Sequence, residues 1–144
     1  MKLKWVRKVF SDGMHNAFTG LAFFKGKYFL AFRHAVRHSS PPGSQFMLTS
    51  PDGESWALLM NTVFPAPPAL PPGGQMDSRD NYFLNLEGEL RLYSYAGPPF
   101  LPAEDRYMIP HYSTVQVTRD GEKWTEPRAI LDDGILWKPI FWRG

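Results

Sequence analysis

One seven-residue pattern occurs twice in this chain, and it limits the folds the chain can adopt. Ser50-Pro51-Asp52-Gly53-Glu54-Ser55-Trp56 reads as hydroxyl, any residue, Asp-Gly, two residues, Trp. Thr118-Arg119-Asp120-Gly121-Glu122-Lys123-Trp124 reads the same way, about 68 residues later. Each residue type has a mechanical reason to be there. An Asp accepts hydrogen bonds from the backbone of its own turn, a Gly takes φ > 0 without steric cost, and a Trp buries a broad face beside the hairpin. Asp-Gly between two apolar runs is a hairpin signal. Two such hairpins at a fixed spacing mark a repeat architecture.

The flanking sequence repeats as well. In the first unit, Leu21-Ala22-Phe23-Phe24, a Lys25-Gly26-Lys27 turn and Tyr28-Phe29-Leu30-Ala31-Phe32 read as strand, turn, strand. Gln45-Phe46-Met47-Leu48-Thr49 enters the first Asp turn and Ala57-Leu58-Leu59-Met60 leaves it. In the second unit, Tyr82 to Leu86, Glu87-Gly88-Glu89 and Leu90 to Tyr95 repeat the first hairpin. Ser113 to Val117 then enters the second Asp turn and Pro127 to Leu131 leaves it. Four strands per unit, repeated along the chain, describe antiparallel blades of a β-propeller.

The sequence therefore predicts an all-β, partial β-propeller over 1–144: blade one at about 15–64 and blade two at about 77–131. A strand from a neighbouring blade is expected at each end, within 1–12 and 132–144. Closed propellers typically hold about four to eight blades. Two blades leave unpaired edges, so the chain reads either as a piece of a longer propeller or as a protomer that closes a ring by self-association. A marginal, aggregation-prone monomer is the corresponding expectation. Pro65 to Gly74 reads as a stiff link between the blades, and Ala96 to Pro110 as a long loop inside the second.

Composition removes several function classes. Sixteen Lys and Arg against fourteen Asp and Glu give a net charge of only +2, and the cations form no run, so no nucleic-acid partner is expected. No apolar stretch is long enough to span a bilayer, and no signal peptide is visible at the N-terminus. With no cysteine, disulfides and thiolate metal sites are excluded. His34 and His38 have a metal-ligand spacing only on a helix, and Asp77, Asp80, Asp132 and Asp133 form no EF-hand loop. No metal or cofactor is therefore assigned.

Strand alternation sorts the connections onto two ends of the sheets. The two Asp turns share one end. The chemically dense segments fall at the other: His15-Asn16, Arg33 to His38, Asp77-Ser78-Arg79-Asp80, Glu104 to Tyr107, His111-Tyr112 and Asp132-Asp133. Pockets form where such loops converge. The C-terminal Trp137, Phe141 and Trp142 read as inter-blade packing.

The two Asp turns resemble the Asp-boxes of the sialidase (neuraminidase) superfamily. The run Ala17 to Arg33 with His38, and Asp77-Ser78-Arg79-Asp80, resembles its bacterial exo-sialidase-like members. The resemblance implies structural roles for Ser50, Asp52, Gly53, Trp56, Thr118, Asp120, Gly121 and Trp124. It implies an acidic sugar as partner and a glycoside hydrolase domain as the parent activity. Arg33 and Arg79, with His38 and His15, become the candidate substrate-binding residues, and Asp80 or Asp77 the candidate catalytic acid/base. A guanidinium fork pairs with a carboxylate through two hydrogen bonds, which suits that substrate class. The sequence departs from the family in lacking the F-R-I-P motif and any counterpart of the C-terminal Tyr/Glu pair and last arginine. Alone, the chain is not expected to be a competent sialidase. A non-catalytic carbohydrate- or protein-binding propeller is the alternative.

Overall fold

The computed structural model describes residues 6–38, 42–65, 75–98 and 110–140. Among these there is no helix. The first sheet is a four-stranded antiparallel meander of β1 (His15–Phe24), β2 (Lys27–Ala35), β3 (Ser44–Ser50) and β4 (Ala57–Thr62), in that spatial order. The second holds β6 (Gln75–Leu86), β7 (Glu89–Gly97), β8 (Tyr112–Thr118) and β9 (Arg128–Asp132), again in chain order. A two-residue strand, β5 (Phe64–Pro65), adds to the edge of β6 through Phe64 opposite Met76. The architecture is the all-β, partial propeller-like one that the repeat predicts.

Local chemistry explains the hairpins. At the β1–β2 turn Lys25 and Gly26 take φ of 46° and 78°, and at the β6–β7 turn Glu87 and Gly88 take 53° and 80°. Two consecutive positive φ values match the right-handed twist of flanking strands, and a Gly at the second position adopts them without strain. The Asp turns close β3 to β4 and β8 toward β9. In the first, the Asp52 carboxylate accepts from the amides of Glu54 and Ser55, both at 2.8 Å, and Ser50 Oγ accepts from Gly53 N at 2.8 Å. In the second, Asp120 accepts from Glu122 and Lys123 N, both at 2.8 Å, and Thr118 Oγ1 from Gly121 N at 2.9 Å. The hydroxyl and the carboxylate thus satisfy the same three amides in each copy.

The sheets pack face to face. Phe29, Ala31 and Met47 from the first meet Leu90 and Leu92 from the second, all fully buried. Each large side chain so buried contributes roughly 1.5–3 kcal/mol. Trp124 closes the margin of this core, its ring 5.9 Å from that of Phe29 and 6.3 Å from that of Phe83. At the other end the strands β1 and β6 come into backbone contact. A Cβ on Gly20 would stand 2.3 Å from the carbonyl oxygen of Asn81, so only glycine fits there.

Two expectations are corrected, and two flanking segments lie outside both sheets. Residues 6–12 and 133–140 form no ladder with the described strands. Instead Phe10 packs its ring 5.3 Å from that of Phe32, and Leu136 N donates to Ser113 Oγ at 3.0 Å. Pro65, read as the start of the inter-blade link, pairs with Gln75 as part of β5. It stands at a sheet edge, where its missing N–H costs nothing. His15-Asn16 and Asp77 to Asp80, read as loops, lie within β1 and β6. Each of these strands runs through a bulge, between Ala17 and Gly20 in β1 and between Arg79 and Tyr82 in β6. A bulge lets the ladder resume after an extra residue, so polar and glycine positions do not end the strand. The expectations on 1–5, 66–74, 99–109 and 141–144, which include Glu104 to Tyr107, Phe141 and Trp142, fall outside the described residues.

Candidate functional site

The bulges set the site. Phe18 in β1 and Asp80 in β6 occupy equivalent positions of the repeat, and both have positive φ, 56° and 51°. Such backbone is uncommon outside Gly, Asn and Asp, and it clusters where a side chain must be re-aimed. At Phe18 it is a sterically costly conformation; at Asp80 it is better tolerated.

Next to the bulges a buried carboxylate binds two guanidinium groups. Asp77, 1 % exposed, accepts from Arg33 Nε on Oδ1 and from Arg79 Nε on Oδ2, each at 2.7 Å. Its Oδ1 also accepts from Gly43 N at 2.6 Å. Arg33 is wholly buried and donates from Nη1 to the Arg37 carbonyl at 2.8 Å. Gly43 lies flat on that guanidinium: a Cβ there would come within 2.8 Å of Arg33 Nε. The loop after β2 is thereby sealed onto β6, and the Gly43 carbonyl accepts from Ser78 N at 3.0 Å.

Arg79 is different in kind from Arg33. Its side chain is 26 % exposed, and its guanidinium stands 5.5 Å from the centre of the Phe18 ring, in cation–π range. Phe18 in turn packs 5.6 Å from the His38 ring, which meets His15 edge-on at 5.2 Å. Arg79 Nη2 reaches the His38 carbonyl at 3.5 Å. The sequence-derived candidates Arg33, Asp77, Arg79, His38 and His15 therefore form one connected cluster.

Asp80 follows Arg79 in the bulge. Burial pushes its carboxyl above the usual range, and the charge of Arg79 only partly opposes this. A carboxylic acid held protonated to higher pH is suited to donate a proton. Asp77, by contrast, has both oxygens in ion pairs.

Several members of the site were not visible in the sequence. Asn81 is fully buried, donates to the Phe18 carbonyl at 3.1 Å, and accepts from Gln45 Nε2 at 2.8 Å and Ser94 Oγ at 2.9 Å. Gln45 also bonds Ser94. This polar network ties the two sheets behind the bulges. Its one sequence signal was polarity at inward-facing positions of alternating strands. The expected structural residues Trp56 and Trp124 differ: Trp56 donates from Nε1 to its own turn at Gly53 O, 3.1 Å, whereas Trp124 packs across sheets.

Comparison with known proteins yields a fold. The structure is similar to Zg3597, a family 117 glycoside hydrolase produced by the marine bacterium Zobellia galactanivorans, with a TM-score of 0.54. The fold is shared with a glycoside hydrolase. Identity is 17%, and the similarity covers 78% of this chain and 38% of that one, so the chain spans well under half of the protein it matches. No protein-family model and no curated protein matches the sequence.

Proposed function

We propose that this chain supplies two blades of a glycoside hydrolase-like propeller acting on an acidic sugar. Arg79 pairs with the sugar carboxylate and Asp80 protonates the leaving oxygen. The observation that carries this reading is the division of labour around Asp77. One buried carboxylate holds Arg33 and Arg79 in place, and the neighbouring carboxyl of Asp80 is shifted toward its neutral form by burial. An anchored guanidinium that is still partly exposed can offer its outer edge to an anion without losing its own orientation. The sialidase resemblance of the same segments supports the acidic-sugar class, and the shared fold supports the hydrolase class.

A propeller that binds an acidic sugar without cleaving it is the second reading. It is favoured by the state of Asp77, whose ion pairs remove it as the second carboxyl that most glycosidases need.

Titration calorimetry of the full chain with N-acetylneuraminate and glucuronate tests the site, and release of the chromophore from the corresponding aryl glycosides tests turnover. Binding should weaken about 10- to 100-fold in Arg79→Ala, the loss of one charge-assisted pair. Turnover that disappears in Asp80→Asn supports the enzyme; binding with no turnover supports the second reading. Failure of both acidic sugars to bind removes both.

A further inference from the structure

The two sheets meet through opposite faces of the repeat. With Gly26 matched to Gly88 and Gly53 to Gly121, Phe29, Ala31 and Met47 of the first sheet correspond to Arg91, Tyr93 and Val115 of the second. The first three receive the second sheet. Their counterparts lie on the second sheet's outer face, where they line an open groove of about 650 Å³ with Val117, Arg128 and Ile130. The converse holds for the other face. Phe83, Leu90 and Leu92, which the second sheet offers to the first, correspond to Leu21, Tyr28 and Leu30 on the first sheet's outer face. Phe10 covers one end of that face through Phe32 and Phe46. Leu21 and Phe23 on it are 64 % and 56 % exposed. Each outer face is therefore the counterpart of a surface already buried once within the chain.

The side chains on the two outer faces suit each other. In the internal contact Trp124 lies on Phe29, and Glu122 pairs with Lys27 at 3.3 Å. The repeat sets Trp56 against Arg91 in an outer contact, which exchanges an aromatic pair for a cation–π pair. It sets Glu54 against Glu89. There Arg91 and Arg119 already pair with Glu89 at 3.0 and 2.7 Å, and Arg119 remains largely exposed to receive Glu54. Arg7 reaches Glu54 at 3.2 Å, an exposed pair that is cheap to exchange. The first Asp turn carries Asp52 and Glu54 and no cation, whereas the groove has Arg91, Arg119, Lys123 and Arg128 against Glu89 and Asp120. An acidic turn meets a basic groove. We infer that the partner of these faces is a second copy of this chain, stacked head to tail with its first sheet on the second sheet of its neighbour. Each copy uses one face of each kind, so the stack ends only where a ring closes. Two to four copies carry about four to eight blades, the span of closed propellers.

Sedimentation velocity of the full chain from low to high micromolar concentration tests this. Species larger than the monomer, growing with concentration and weakened by added salt, are the expected result. Leu21→Asp on one face and Ile130→Asp on the other change exposed side chains. Each should weaken association about 10-fold or more by placing a carboxylate in an apolar contact. Phe23→Asp and Arg128→Glu are the second variants on the two faces, used where a first one does not fold. An equimolar mixture of Leu21→Asp and Ile130→Asp is the decisive sample. The intact second sheet of one can still take the intact first sheet of the other, so the mixture should form dimers and nothing larger. A parent chain that stays monomeric throughout overturns the proposal and leaves both faces to a different protein chain. A mixture that stays monomeric, or variants that associate like the parent, overturns it as well. The arginine cluster lies at the opposite end of the sheets from the Asp turns, and its ligand binding is read separately. None of these outcomes bears on the acidic-sugar reading.

Discussion

Trp124 of the second sheet meets Phe29 of the first edge-on, with ring centroids 5.9 Å apart and planes inclined by 65°. Among the described residues the corresponding Trp56 has no such aromatic partner, and it donates to the Gly53 carbonyl of its own turn. Identical turns thus hold tryptophans with different mechanical duties. Trp124 is the one that joins the sheets.

Trp124→Ala should accordingly destabilise the chain by about 3–5 kcal/mol, the usual range for removing a large aromatic from a core. Trp56→Ala should cost about 1 kcal/mol, close to one hydrogen bond. Urea midpoints of the two variants check the difference; equal losses would mean that Trp124 does not bridge the sheets.

Asp120 should make the fold sensitive to acid. Amide donation from Lys123 and Glu122 holds its carboxyl down at about 2, against an ordinary value of 3.8. A depressed folded value means that the stabilisation is complete above the ordinary value and is lost as pH falls toward the folded one. The thermal midpoint should therefore drop as pH is lowered from about 4 to about 2. In Asp120→Asn that part of the slope should shrink. Asp52, lowered in the same direction by Ser55 and Glu54, should add to it. An identical pH profile for Asp120→Asn would show that this turn does not set the sensitivity.

The turn chemistry was legible because it is local. Asp52 and Asp120 act within three residues of themselves, and Gly26 and Gly88 sit at positive φ within their own hairpins, so short sequence windows contain the whole explanation. The pairing of Arg33 with Asp77 was not, since the partners are 44 residues apart and meet only once two sheets pack. The bulges escaped for another reason. Thr19-Gly20 and Ser78 to Asn81 are polar or small, which reads as the end of a strand, yet the ladders continue past them.

Arg33 and Asp77 should behave as a unit. Removing one member of a buried pair strands the other charge, at about 3–5 kcal/mol. Asp77→Ala strands two guanidiniums and the Gly43 amide, so it should sit at the upper end of that range. Arg33→Met with Asp77→Leu replaces the pair by apolar volume and should lose less than Asp77→Ala alone. Denaturant titration of the three proteins measures the coupling. A double variant no better than Asp77→Ala would place the loss in Arg79 or Gly43 instead.

Asp80 should show the opposite pH sign to Asp120. Its carboxyl is raised by burial, so ionising it works against the folded state. Any contribution is complete below the ordinary value of 3.8 and falls away as pH rises through the raised one. Asp80→Asn keeps the size of the side chain and its tolerance of φ 51°, and it removes the ionisation. That variant should have a higher thermal midpoint than the parent at neutral pH, and the two should converge in acid. Gain of stability with loss of acidic-sugar turnover would be the trade expected of an acid held in a disfavoured site. Equal midpoints at all pH values would mean that Asp80 is solvated enough to ionise freely, which would remove it as the proposed proton donor.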